Sequence, residues 1–297
     1  YFTIFSLLAG AMSAVILLPE LYALGLTASS DISFPKTLTQ YFSVVTVLNR
    51  QLANTEVCIG LEHLPNIYCG VAVFLLYPLY IFNRKISTRE KIAKSVLLFV
   101  FIFAFSFNIP NFIWHGFHFP NSLPCRQSFI YIFLMLFICF RAYMYLDETP
   151  KKHIAIAFWG SACFVLLAEK LVTQEHFHFI VYYVAIIFLA AYAGLMYLYK
   201  DGKRTVCGFL ALTLVAVEAS INMSVTSVTT TSRESYTSDN EEVRILKDSL
   251  QPASDFYRVE KKTRKTKNDG AWMNFPSVSL FSSTANADLS KFFKKLG

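Results

Sequence analysis

Residues Phe179 to Tyr199 read FIVYYVAIIFLAAYAGLMYLY, twenty-one residues without a charge, and Lys200, Lys203 and Arg204 follow at once. As a helix this run rises about 31 Å at ~1.5 Å per residue, which matches the roughly 30 Å hydrocarbon core of a bilayer. A helix that is apolar all round belongs in a membrane or in the centre of a large protein. Six further apolar runs stand at 1–26, 67–83, 95–113, 127–146, 154–172 and 205–221. The expected fold class is therefore an α-helical polytopic membrane protein with about seven transmembrane helices. The run at 67–83 is short and carries Pro78, so a tilt, a kink or an extension at one end is expected there.

Composition agrees. Of 297 residues 55% are hydrophobic, with 29 Phe and 16 Tyr, and the mean hydropathy is +0.44, more than a soluble core of this size needs. The net charge of +7 would suit nucleic acid if it were spread over a polar surface. Instead, ten of the 27 Lys and Arg fall in three short connections, at Arg84, Lys85, Arg89, Lys91 and Lys94, at Lys151 and Lys152, and at Lys200, Lys203 and Arg204. These are alternate connections, the positive-inside pattern of cytoplasmic loops. No nucleic-acid partner is expected; membrane lipids are. The connections 27–66, 114–126 and 173–178 hold only Lys36, Arg50 and Arg126 and are assigned to the outer face. His63, His115, His118, His176 and His178 fall there too, and only His153 falls inside.

Two regions follow: a transmembrane domain over 1–221, with outer loops 27–66, 114–126 and 173–178, and an extracytoplasmic α/β segment over 222–297. In the second, Ser238-Asp239-Asn240-Glu241 has capping-box spacing and opens a helix through about Leu250. Phe256 to Val259 and Trp272 to Phe281 read as extended strands around a turn at Asn268-Asp269-Gly270, and Asn286 to Leu296 returns to helix. The cationic run Lys261 to Lys267 is either a contact for an anionic partner or a solvated edge kept from aggregating by charge. In the long loop 27–66, Thr37 to Leu52 has an amphipathic helical pattern, suited either to the outer interface or to packing on the membrane domain. Tyr1 already lies inside an apolar run without a signal region, and the closing KFFKKLG reads as a short helix reaching a glycine, so an internal piece of a longer protein is expected.

The chemistry concentrates in IWHGFHFPNSLPCR, Ile113 to Arg126. Pro110, Pro120 and Pro124 oppose regular helix, and irregular backbone at membrane depth is tolerated where protein buries it or it lines a wet cavity. Arg126, at the start of the next span, offers paired donors to a phosphate or carboxylate. The adjoining helix N-terminus favours an anion too. His115 and His118 can donate to the same anion or handle protons, and Asn121 supplies a donor and an acceptor. The bland alternative is that these side chains satisfy backbone groups freed by the prolines.

Glu20, Glu169 and Glu218 fall toward the outer ends of their spans and are candidates to line that pocket, since intramembrane charge is a functional hypothesis by default. Arg141, near an inner end, is expected to reach headgroups. No cofactor is firmly expected. A divalent metal held by His115, His118, His176 or His178 is a lesser alternative, because the spacings fit no strong metal motif. The six cysteines form no disulfide framework in a helix-dominated chain; Cys58 and Cys69 could bridge in an oxidising compartment, with free thiols favoured.

The string HGFHFPNSLPCRQSF, His115 to Phe129, resembles the HG, PN and arginine signature of the YfhO family of bacterial integral membrane proteins, and the stretch from Phe256 to Gly297 resembles its outer segment. The two occur in the family's order with spans between them. The resemblance implies a GT-C-type glycosyltransferase in the bacterial cell membrane. Such an enzyme takes a sugar from a polyprenyl-phosphate carrier and attaches it to a cell-envelope polymer of teichoic-acid type on the outer face. On that reading Arg126 binds the donor phosphate, and His115, His118 and Asn121 contact sugar or phosphate. GT-C enzymes place their catalytic acid in the first long outer loop, a region expected upstream of Tyr1. The rival readings are a lipid or polymer-precursor transporter and a non-catalytic membrane anchor or sensor.

Overall fold

The computed structural model describes residues 1–27, 33–60, 64–120, 123–173, 177–226, 232–250, 256–278 and 285–296. Its helices are α1 (Phe2–Met12), α2 (Ala14–Gly25), α3 (Val44–Asn49), α4 (Val73–Phe82), α5 (Thr88–Ser106), α6 (Asn108–Trp114), α7 (Ser128–Met144), α8 (Lys151–Leu171), α9 (Phe179–Lys200), α10 (Arg204–Thr226), α11 (Arg233–Thr237), α12 (Asn240–Ser249), α13 (Asp269–Trp272) and α14 (Ala287–Leu296). They fall into two compact units: Tyr1–Ile32 with Thr230–Gly297, and Ser33–Thr229. The boundary drawn from composition at 221 falls inside α10.

Among the described residues three helices are long and apolar enough to cross a membrane: α8, α9 and α10, of 21, 22 and 23 residues. A fourth crossing exists if α1 and α2, bent by 71° at Ser13, count as one broken span. Seven full-length helices are not what the structure contains. α7 is apolar but has 17 residues. α4 has 10, about 15 Å of helix, and the stretch 64–70 ahead of it has no helical structure.

The run 95–113 is cut at Phe107, whose backbone is extended (φ −121°, ψ 142°), into α5 and α6. The sequence explains the cut. Pro110 has no N–H to offer the carbonyl of Ser106, and that carbonyl accepts instead from the Tyr41 N–H at 2.7 Å. Asn108 then fastens the incoming loop: its Oδ1 accepts from the Thr39 N–H at 2.8 Å and its Nδ2 donates to the Thr37 carbonyl at 2.9 Å. At its other end α5 begins seven residues before the apolar run, because Ser87 caps the Glu90 N–H at 3.2 Å.

In the larger unit α4 packs on α7 and α8, α8 on α9, α9 on α10, and α5 on α6 and α7. The buried face of α9, Val181, Ala185, Leu189, Tyr192 and Met196, recurs every three to four residues, as one helical face requires. α8 contributes Ala157, Ser161, Val165 and Ala168. Such small residues let helix backbones approach closely in a membrane, and Ser161 Oγ donates to the Phe74 carbonyl at 2.6 Å, tying α8 to α4. Phe129, Phe133 and Phe140 of α7 stay exposed, as lipid-facing side chains do.

The segment between α3 and α4 decides the interior of this unit. Only Val44–Asn49 of the amphipathic stretch is helical; Asn49 to Ala53 are buried and pack inside the unit, while Leu38 and Val44 stay exposed. Cys69 is a free thiol, so no Cys58–Cys69 bridge forms.

In the smaller unit the expected α/β arrangement is absent: no strand occurs among the described residues. The segments read as strands meet in one backbone bond, Val259 N–H to the Pro276 carbonyl at 2.7 Å. Pro276 has no N–H to return, so no ladder grows from it. An isolated bridge joins Thr27 and Asn286. The turn expected at Asn268-Asp269-Gly270 is the start of α13, and the helix after the capping-box spacing begins at Asn240. The Asp269 carboxylate accepts from the Lys265 N–H at 2.7 Å and from the Thr266 hydroxyl at 2.6 Å. Three cations of the run Lys261 to Lys267 already have acids: Lys261 lies 2.6 Å and Lys265 3.7 Å from Asp239, and Arg264 lies 3.7 Å from Glu260.

Candidate functional site

The loop after α6 is built on unusual backbone. Gly116, Phe117, Leu123 and Cys125 all have positive φ, between 53° and 71°. For the three that are not glycine this costs on the order of 1–3 kcal/mol each, so surrounding contacts must hold the shape. Asn111, fully buried, is one such contact: its Nδ2 donates to Cys125 Sγ at 3.4 Å, and its carbonyl lies 2.8 Å from His115 Nδ1. Burial pushes the Cys125 thiol up to about 12, with the Asn111 amide pulling the other way, which favours the protonated form. The Leu123 N–H donates to the Ile59 carbonyl at 3.1 Å, which joins this loop to the segment between α3 and α4.

His115 is buried under the loop, His118 is half-buried and Arg126 is exposed, with its Nε 3.4 Å from the Leu123 carbonyl. Asn121 and His176 lie outside the described residues. Each of the three acids has its own surroundings. Glu20 is exposed on α2 in the other unit. Glu169 is half-buried and pairs with its neighbour Lys170 at 3.1 Å. Glu218 is 2% exposed and accepts three bonds: Tyr68 Oη at 2.8 Å, the Val71 N–H at 2.7 Å and Tyr192 Oη at 2.5 Å. Arg141 pairs with Glu90 at 3.4 Å. Among the described residues no group of three or more His, Cys, Asp or Glu is placed to hold a metal.

Sequence reading missed two features. The first is Gln127, directly after Arg126: it is 5% exposed, and neither its amide oxygen nor its amide nitrogen has a hydrogen-bond partner among the described residues. Buried polar groups left in this state are rare and call for a ligand, a water or a role. Its place in the quoted string CRQSF was the available signal.

The second is the polar core between α3 and α4. Arg50, 3% exposed, donates to the Pro65 carbonyl (2.9 Å), the Glu56 carbonyl (2.7 Å) and Asn66 Oδ1 (2.7 Å). Asn66 in turn clamps both backbone groups of Cys58. Asn49 Nδ2 donates to Tyr182 Oη at 3.0 Å, and Gln51 Nε2 donates to Tyr131 Oη. The run Asn-Arg-Gln inside an apolar stretch was its only mark in the sequence.

Beside Gln51 and Tyr131 opens an apolar groove of about 590 Å³ between α4, α5, α7 and α8, lined by Leu48, Phe74, Leu98, Ile102, Gly160 and Phe164 among others. Groove, interior polar segment and helices of bilayer length define a helical membrane protein. The chain belongs to the YfhO family: the family described as Bacterial membrane protein YfhO matches residues 1–297, the whole chain. No curated protein and no solved structure matches it.

Proposed function

We propose that this YfhO-family chain belongs to a multi-pass membrane glycosyltransferase of GT-C type, which moves a sugar from a polyprenyl-phosphate carrier to a cell-envelope polymer outside the membrane. The observation that carries the reading is Gln127: a buried amide with no partner among the described residues, next to the one arginine of the loop, is what a site for a polar ligand needs before the ligand arrives. Arg126 would hold the donor phosphate through its planar fork and stabilise charge on the lipid phosphate as it departs. His115, His118 and Asn121 would shape the site or contact sugar and phosphate. The apolar groove ending at Gln51 and Tyr131 has walls suited to an isoprenoid chain. α4 and the α5–α6 pair would complete seven passages through the bilayer, and residues 222–297 would face outward.

The test compares Gln127→Leu, Arg126→Lys and Arg126→Ala, reading sugar transfer and membrane abundance together. A leucine removes two buried polar atoms that have no partner, so thermal stability should hold or rise. Transfer should fall about tenfold, because a hydrogen bond to a charged ligand is worth roughly 1.5–3 kcal/mol. Arg126→Ala should lose at least as much, with Lys between Ala and wild type. Normal transfer by the Gln127→Leu and Arg126→Ala proteins at normal abundance overturns the assignment.

A further inference from the structure

A second cavity of about 320 Å³ opens at the far end of the same unit, lined by Leu79, Phe82, Arg84, Lys85, Lys152 and His153, with Glu148, Asn83, Thr149 and Pro150 completing the wall. It lies at the start of α5, whose other end leads through α6 to the His115 loop; 19 residues of helix separate the two by about 28 Å. That is roughly the depth of a hydrocarbon core. The sequence assigns this end to the cytoplasm.

The charge here is not balanced by protein. Over 84–94, 141–152 and 200–204 there are eleven Lys and Arg against four Asp and Glu. Three of the acids are taken by cations other than Arg84 and Lys152: Asp201 by Lys151 at 2.5 Å, Asp147 by Arg204 at 3.0 Å and Glu90 by Lys94 at 2.6 Å. The fourth, Glu148, lies 3.5 Å from Lys85. The side chains of Arg84 and Lys152 make no hydrogen bond or ion pair among the described residues, and both line the cavity. The first turn of α8 forms part of the wall, and a 21-residue helix adds partial positive charge at its N-terminus. A second, apolar feature adjoins the charge: Phe82 lines both this cavity and the large groove, and it lies against the His153 ring with centroids 5.4 Å apart.

We propose that this cavity binds the phosphate of an anionic phospholipid headgroup, held by Arg84, Lys152 and His153, with the first carbons of its chains laid against Phe82 and Leu79. A free phosphate shares the headgroup's charge chemistry but has no use for the apolar wall, so the structure favours the lipid. The site is distinct from the Arg126 loop and stands whether or not sugar transfer is the activity.

The purified chain is titrated at about 0.15 M salt with short-chain phosphatidylglycerol, with phosphatidylcholine of the same chains, with glycerol phosphate and with inorganic phosphate, and bound ligand is read by native mass spectrometry. Phosphatidylglycerol should bind at least about tenfold tighter than the other three. The Arg84→Ala/Lys152→Ala protein should lose at least about tenfold, since both fixed positive charges that hold the phosphate are gone. Lys152→Glu should lose as much, and both should melt with wild type because the altered side chains are exposed and unpaired. Arg89→Ala/Lys203→Ala removes two exposed cations outside the cavity and should bind normally. Equal loss in that control reduces the effect to general surface charge and overturns the site, as does unchanged binding by the cavity variants or absent binding by wild type. Tight binding of inorganic or glycerol phosphate overturns the lipid assignment.

Discussion

Glu218 was a candidate to line the outer pocket, and its surroundings predict a different consequence for its loss. Its carboxylate receives a backbone N–H from Val71, just before α4, a phenol from Tyr68 and a phenol from Tyr192 of α9, so one side chain of α10 joins three segments of the chain. Glu218→Ala leaves three donors without this acceptor, the buried Val71 N–H and Tyr192 phenol and the half-buried Tyr68 phenol. Each costs about 1–3 kcal/mol, so the three at the low end of that range place the loss at about 3 kcal/mol or more. Glu218→Gln keeps one oxygen for the Val71 and Tyr68 donors and turns an amide nitrogen toward Tyr192. Hydrogen bonds to a charged group are worth about 1.5–3 kcal/mol against about 0.5–1.5 for neutral ones, so Gln should lose about 1–3 kcal/mol. For a unit of this size each kcal/mol moves the melting temperature by about 2–4 °C. The assay is thermal unfolding in detergent with a thiol-reactive dye reporting exposure of Cys139 and Cys207, which are buried in the fold. The expected order is wild type, then Gln, then Ala at least about 6 °C lower. An Ala protein that melts with wild type would refute the latch.

Arg50→Met removes three donors and takes from the buried Pro65 carbonyl its Arg50 donor, at about 1–3 kcal/mol. Protease should then cut between residues 50 and 66 in detergent, where wild type resists. Gly270→Ala should open the turn around α13, because a Cβ there would stand 2.3 Å from Ser277 Cβ; limited proteolysis of the 256–278 segment would show it, and an unaltered pattern would argue against the packing. Burial raises the Asp269 carboxyl, but the Thr266 hydroxyl and the Lys265 and Thr266 N–H groups outweigh it and hold the group below an ordinary aspartate's 3.8. Its stabilising contribution is therefore full above that value and is lost as pH falls through the lower folded one. The tail's protease resistance should hold from pH 7 to about 4 and drop below, and Asp269→Asn should flatten that drop.

Part of this architecture is visible in the chain itself. The apolar lengths of α8, α9 and α10 are local properties, and so is the stop that Pro110 imposes by withholding an N–H from Ser106. What the period could not reveal is where that freed carbonyl finds a donor, or that the first apolar run bends by 71° at Ser13. Phe256 to Val259 had strand composition, yet a strand needs a neighbour able to exchange bonds, and Pro276 cannot.

By itself the sequence determined that this is a membrane protein, that α8, α9 and α10 are long apolar helices and where its cations gather, because partition of a twenty-residue run into hydrocarbon adds up residue by residue along the chain. Only the tertiary structure decided that Asn49 to Ala53 pack inside the unit, that Arg50 ties its own loop, and that Glu218 binds donors 147 and 150 residues away in sequence and not the loop of Arg126. The reason is that a buried polar group is stable only with its partners, and which partners reach it depends on the segments that meet around it, which local composition does not encode.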